Sequence, residues 1–250
     1  MLNAILFLLF LNHIYWLSFR ILFHDGVAHK HWTLDPKLEH IFRFCLWFTN
    51  GLSFPNWVSY MVAQHQVHHM HSDTENDFLS PHVFSLKQLF NYKEVGPGKP
   101  YYVKPDDLIQ YGSDIKNYDD WIERNLYQKY RNLGLNIIWI IYILLFGIPG
   151  FFVGAFHRFF IVEFNIWISL YLFHKVGYFD KKYQGNIKAR NLFPIGILLA
   201  GEELHFNHHM NPARQNYAIR WYEFDIGYWY ASFFKLLGLI QFEDKKSPPK

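Results

Sequence analysis

A single cysteine, Cys45, rules out an intrachain disulfide and any metal site built on several thiolates. Charge is sparse: Asp, Glu, Lys and Arg make up 18% of the 250 residues, and the net charge is only +3. With no basic patch interleaved with aromatics, nucleic-acid binding is excluded as a function class. The chain lacks an HExxH motif, which excludes a zincin. The N-terminus has no basic n-region and no small-residue cleavage site, so it reads as a retained anchor rather than a removed signal. No internal repeat is apparent.

Apolar residues reach 51% and aromatics 21%, and they are unevenly spread. Such aromatic content suits interfacial belts and an apolar binding channel. The length fits one domain, residues 1–250. Leu2 to Phe23 is long enough to cross a bilayer, at about 20 residues per span. Asn12 and His13 should then face protein, and Arg20 should snorkel to the interface. Further spans are expected over 133–156 and 159–173, turning at His157-Arg158. Residues 41–63 contain Arg43, Asn50, Gly51 and Pro55 and are read as interfacial or re-entrant, and 192–200 as a short dip. Residues 90–131 form a polar excursion, expected to end in an amphipathic helix on the membrane. The segment after Met210 reads as an amphipathic tail closing over the site, with Trp221, Tyr222, Tyr228, Trp229 and Tyr230 as interfacial anchors. The final EDKKSPPK reads as disordered. The expected fold is an all-α integral membrane protein, transmembrane helices beneath a helical cap.

Histidine is the abundant exception, with 15 copies. Eight fall into three clusters: His24 and His29 (HxxxxH), His65, His68 and His69 (HxxHH), and His205, His208 and His209 (HxxHH). On a helix, positions i, i+3 and i+4 share a face, so each HxxHH can converge on one point. Positions five apart diverge by about 140° on an α-helix, so His24 and His29 require the helix to unwind near Gly26. Nitrogen ligands without thiolates suit iron, zinc, copper or nickel, and eight are too many for one ion. Two metals are therefore expected, in a cap carrying all three boxes on one face. Lys181, Lys182, Lys188 and Arg190 on that face make it cytoplasmic by the positive-inside rule.

These boxes, their order and the spans between them resemble the membrane-bound fatty acid desaturases of the stearoyl-CoA type, and bacterial members most. TNG before box two, YDDWIERNLY, and GEELHFNHHMNPAR with RWYEFDIG extend the resemblance over essentially the whole chain. It implies an O₂-dependent oxidoreductase with a di-iron centre on nine histidines, the ninth matching His174 in FHKVGY. It also implies a saturated fatty acyl substrate carried on CoA, acyl carrier protein or a glycerolipid. No HPGG haem segment is present, so the two electrons are expected from a separate ferredoxin or cytochrome b5 type donor. The implied setting is a bacterial inner membrane or an ER-like membrane. The chain departs from the family at Leu170, where an Asn that helps hold a metal-bound water is usual. It departs again at Phe78-Leu79, in place of Pro-His, and at Ala63 and Ser80-Pro81-His82, where CoA-binding charges stand in animal enzymes.

Asp25, Glu202, Glu203 and Asn207 are candidates to orient the imidazoles. Glu202-x-x-His205 echoes the soluble di-iron carboxylate motif, but only one copy is present. His13, His31, His40, His71, His82 and His157 read as ordinary hydrogen-bonded or solvent-facing histidines, His71 being the nearest to an exception. A hydroxylase on the same scaffold is the main alternative. A metal-binding membrane protein without catalysis is the second, disfavoured because ionisable residues do not thread the spans.

Overall fold

The computed structural model describes residues 1–182 and 187–243. The EDKKSPPK expectation therefore falls, beyond Glu243, outside the described residues. The fold is mostly helical, and two helices are long and apolar enough to cross a membrane: α1, Leu2–Ala28, and α6, Leu133–Lys175. Between them come α2 (Pro36–Asn50), α3 (Trp57–His71), α4 (Leu86–Phe90) and α5 (Pro105–Gly112). After them come α7 (His205–Met210) and α8 (Ile226–Leu236). Strand β1 (Trp32–Leu34) pairs antiparallel with β4 (Ile240–Phe242), while β2 (Ile195–Gly196) runs parallel to β3 (Phe224–Asp225).

Local chemistry sets the helix ends. Asp35 accepts from the Lys37 N–H at 2.9 Å and Pro36 opens α2, which stops at Gly51 with φ 65°. Asp225 accepts from Tyr228 N–H at 3.1 Å and so caps α8. α2 lies against α1 and α6. Its Arg43 is buried, donating to Glu123 at 2.8 Å and Asp120 at 2.5 Å. The polar excursion is thereby pinned to α2, and near its end it has a short π-helical turn, Glu123–Gln128.

α6 corrects the expected turn at His157-Arg158. The chain reverses at Gly147, whose φ of 61° and ψ of −135° are non-helical, with Pro149 starting the return arm. Asn136 pairs with Arg158 across the hairpin, and Trp139 Nε1–H donates to Phe151 O at 3.0 Å. His157 lies inside this hairpin, fully buried and 2.8 Å from Thr49 O. Gly150 makes the close crossing possible, since a Cβ there would stand 1.9 Å from Tyr142 O. Gly150→Ala should therefore cost about 1–3 kcal/mol through overpacking, whereas Gly96→Ala, with nothing within 4 Å, should cost far less. Thermal unfolding of the two detergent-solubilised variants would test this, and equal midpoints would refute the packing argument.

Aromatic contacts set the direction of α1. Phe7 meets Tyr142 and Phe146 near the hairpin tip, and Trp16 meets Phe173 at the other end. His24 and His174 consequently lie at the same end of the packed helices. Outward faces of both helices are apolar, as Leu6, Phe10, Leu144 and Ile148 show. Arg20 does not snorkel: it is fully buried. Residues 192–200 form a bend and β2, with Leu198 O 3.1 Å from His13 Nδ1.

Candidate metal centre

Box one sits where α1 changes character. Leu2–Ser18 is α-helical, but Phe19–Ala28 is π-helical, with bonds spanning five residues. His29 N–H donates to His24 O at 2.9 Å, so the two rings lie one wide turn apart, on the same side. The helix widens where unwinding was expected. Another π-helical stretch, Trp167–Leu172, immediately precedes the end of α6 that carries His174. Box two occupies the last turns of α3, and box three makes up most of α7.

The fold brings nine imidazoles into two groups. One comprises His24, His29, His65, His69 and His208, the other His68, His174, His205 and His209, and within each the available ligand atoms lie within 4.8 Å of one another. Nitrogens approach closely: His29 Nε2 to His65 Nε2 is 2.7 Å, His69 to His208 3.0 Å, His205 to His209 3.0 Å and His174 to His205 3.2 Å. Bonds of about 2.1 Å to one ion at roughly 90–110° would place neighbouring nitrogens about 3.0–3.4 Å apart. Three of these four contacts fall in that range and His29–His65 is shorter, so both sets are close to the spacing of a coordination shell. Burial first, and then the charge of neighbouring rings, holds His65, His69, His205, His208 and His209 well below the usual imidazole range. They are therefore neutral, the state a metal requires.

Acceptors behind the rings orient them. His24 Nδ1–H donates to Glu202 Oε1 at 2.7 Å, His68 Nδ1–H to Asp77 at 2.8 Å and His174 Nδ1–H to Asp73 at 3.0 Å. Each contact leaves Nε2 as the free lone pair aimed inward. His209 Nδ1 lies 3.3 Å from Ser72 Oγ. His68 is also desolvated, but Asp77 outweighs that and raises it.

Of the four candidate orienting residues, the structure sets only Glu202 directly against one of the nine rings. Asp25 is 3.9 Å from His24 and bonds instead to Arg20 and Tyr217, each at 2.6 Å. Glu203 turns away, accepting from Leu199 N–H at 2.7 Å and Gly201 N–H at 3.1 Å; burial lifts it to about 7. Asn207 ties Asn191, Tyr217 O and Glu223 together and touches none of the nine rings. Asp73, Asp77 and Ser72 were not singled out from sequence. Their signal was a run of acceptors directly after HxxHH, where Nδ1 protons need partners.

The other histidines lie outside both groups. His31 sits 3.2 Å from Asp25 and 2.9 Å from Pro212 O, and His82 is 3.2 Å from His174 O.

Both groups border one cavity of about 540 Å³. His24, His65, His68 and His205 form part of its wall, and Trp16, Phe19, Phe23, Leu52, Met61 and Phe173 supply much of the rest. Leu79 and Leu170, at positions where the sequence departs from the family, line it too. That volume falls within the usual range for a small-molecule pocket.

No protein-family model matches the chain. It is similar to an sn-1 stearoyl-lipid 9-desaturase of Synechocystis sp., 29% identical over 230 residues, covering 91% of this chain and 67% of that protein. An sn-2 palmitoyl-lipid 9-desaturase of Nostoc sp. is 25% identical over 233 residues, covering 91% and 76%. The Delta-9 desaturase-like 1 protein of Arabidopsis thaliana is 27% identical over 238 residues, covering 89% and 71%. Two apolar helices, two groups of clustered imidazoles opening on one apolar cavity, and matches to bacterial and plant desaturases along nine-tenths of its length make the chain similar to the membrane-bound fatty acid desaturases.

Proposed function

We propose that this chain is a delta-9 acyl-lipid desaturase, in which nine histidines hold two iron ions. His24, His29, His65, His69 and His208 would bind one, and His68, His174, His205 and His209 the other. The observation that carries this reading is the shared cavity: an apolar channel wide enough for a ligand runs past histidines of both groups. The printed names of the bacterial relatives specify lipid-linked stearoyl and palmitoyl chains, which favours a lipid-linked substrate here.

The overall reaction removes two hydrogens from adjacent methylenes, with O₂ and two external electrons and two protons yielding an alkene and two waters. Bound iron supplies the oxygen-activating redox chemistry. The chain's own residues do the positioning. Trp16, Phe19, Phe23 and Phe173 hold the hydrocarbon and exclude water. Asp73, Asp77 and Glu202 hold His174, His68 and His24 in one tautomer, so that nitrogen and not N–H faces inward. The electron donor is a separate protein of the ferredoxin or cytochrome b5 type. The histidine face is cytoplasmic, in keeping with Lys181, Lys182, Lys188 and Arg190 nearby.

Protein purified without chelators from iron-replete cells should carry about two irons per chain, and cells expressing it should gain monounsaturated acyl chains. Stoichiometric zinc with an unchanged fatty acid profile would refute the redox assignment. Hydroxy fatty acid as the major product would keep the metal site and overturn desaturation. Leu170 bears on that branch, because it sets an apolar side chain in the cavity where the family usually has an Asn.

A further inference from the structure

Two asparagines in the wall of the apolar channel each carry a buried side-chain atom with no partner among the described residues. Asn165, 4% exposed, accepts from Trp16 Nε1–H at 3.1 Å through Oδ1, and its Nδ2 has no partner among the described residues. Asn50, 7% exposed and hydrogen-bonded to Tyr15, has an unpartnered Oδ1. Both residues line the cavity. A saturated hydrocarbon offers them nothing, and an unpaired buried amide is costly.

Their level in the channel is informative. Lys93, Val95 and Arg131 are the exposed residues of the lining and so mark its mouth. Tyr92 O–H donates to Glu163 at 3.3 Å, and Arg131 Nε–H donates to Gly51 O at 2.8 Å. The mouth therefore lies beside residues 163 and 51, and Asn165 and Asn50 stand just inside it. Asn165 is nine positions before His174 on the same arm of α6, at most about 13 Å along the axis at the α-helical rise of about 1.5 Å per residue, with the π-helical Trp167–Leu172 shortening it. That distance is of the order of the reach from an acyl carbonyl to the middle of its chain.

We propose that Asn165 Nδ2–H donates to the linkage carbonyl of an esterified fatty acyl chain. The carbonyl is thereby held at the mouth, and the nine-residue offset to His174 selects which methylenes meet the histidines. Asn165 is a positioning residue, and Asn50 Oδ1, in the same lining, takes a donor from the carrier's polar part. The proposal rests on the desaturase reading for its substrate class, but binding alone can decide it.

The test uses the full chain, metal-free in detergent, with a fluorescent conjugated-polyene methyl ester displaced by methyl stearate or by octadecane. Methyl stearate should compete about threefold to tenfold better in wild type, the range for one neutral hydrogen bond. Asn165→Leu should bring that ratio close to one. So should Trp16→Phe with Asn165→Leu, which removes the indole N–H that the single change strands. In iron-loaded membranes, both Asn165 variants should spread the double bond over neighbouring carbons. An ester preference retained in both Asn165 variants overturns the proposal. Absence of alkene from wild type, with ester preference present and lost on substitution, overturns the desaturase reading and leaves the carbonyl site standing.

Discussion

Replacing His174 by alanine is expected to remove metal from the four-histidine group and to abolish turnover. The ring is fully buried, its Nδ1–H is committed to Asp73, and its Nε2 lies 3.2 Å from His205 Nε2. The remaining members, His68, His205 and His209, already belong to the same set and cannot fill its place. Iron content should fall from about two per chain toward one, the five-histidine set keeping its ion. His157→Ala is the comparison. It removes a buried ring that bonds Thr49 O at 2.8 Å inside the α6 hairpin, outside both groups. Its cost should appear as about 1–3 kcal/mol of stability, with iron retained. Metal analysis and thermal unfolding on the same preparations separate the two effects. Full iron and activity in His174→Ala would remove it from the ligand set.

Arg20→Leu should be the most damaging change outside the nine histidines. Arg20 is fully buried against Asp25 at 2.6 Å, Asp225 at 3.0 Å and Glu202 at 3.6 Å, and its guanidinium stacks 3.7 Å from the centre of the Tyr217 ring. It also donates to Ala200 O, so it joins α1 to the segment that leads into box three. Removing it strands carboxylates that water cannot reach, at a cost of about 3–5 kcal/mol. One of them, Glu202, holds His24 at 2.7 Å, so metal retention should fall along with stability. Arg124→Ala serves as the control. Its pair with Asp119 is 58% and 70% exposed, and such pairs contribute about 0–1 kcal/mol. If Arg20→Leu accumulates and melts as wild type does, the buried network does not hold box three in place.

Much of the site was legible locally. The HxxHH boxes were readable because a helix puts i, i+3 and i+4 on one face, and α3 and α7 present their histidines in that manner. HxxxxH was readable as a pair but its geometry was not, because π-helical hydrogen bonding over Phe19–Ala28 leaves no mark in the apolar pattern. The hairpin tip was misread because His157-Arg158 was the polar pair in an apolar run. Gly147 and Pro149 lie within that run, but only packing of Trp139 and Tyr142 against the return arm makes them a reversal.

By itself, the sequence determined the residue types and their spacing: imidazoles without thiolates, enough of them for two ions, and apolar stretches long enough for a bilayer. Those follow from local periodicity, which depends only on neighbours a few positions away. Tertiary structure decided how nine rings divide into five and four, and which acceptors stand behind them. Asp73 reaches His174 across 101 positions and Glu202 reaches His24 across 178. Pairings at that separation come from how α1, α6 and the box-three segment pack, and no periodicity within one element encodes them. The same holds for Arg20, which local pattern assigns to the interface and packing turns inward, because carboxylates from distant segments meet there and need its charge.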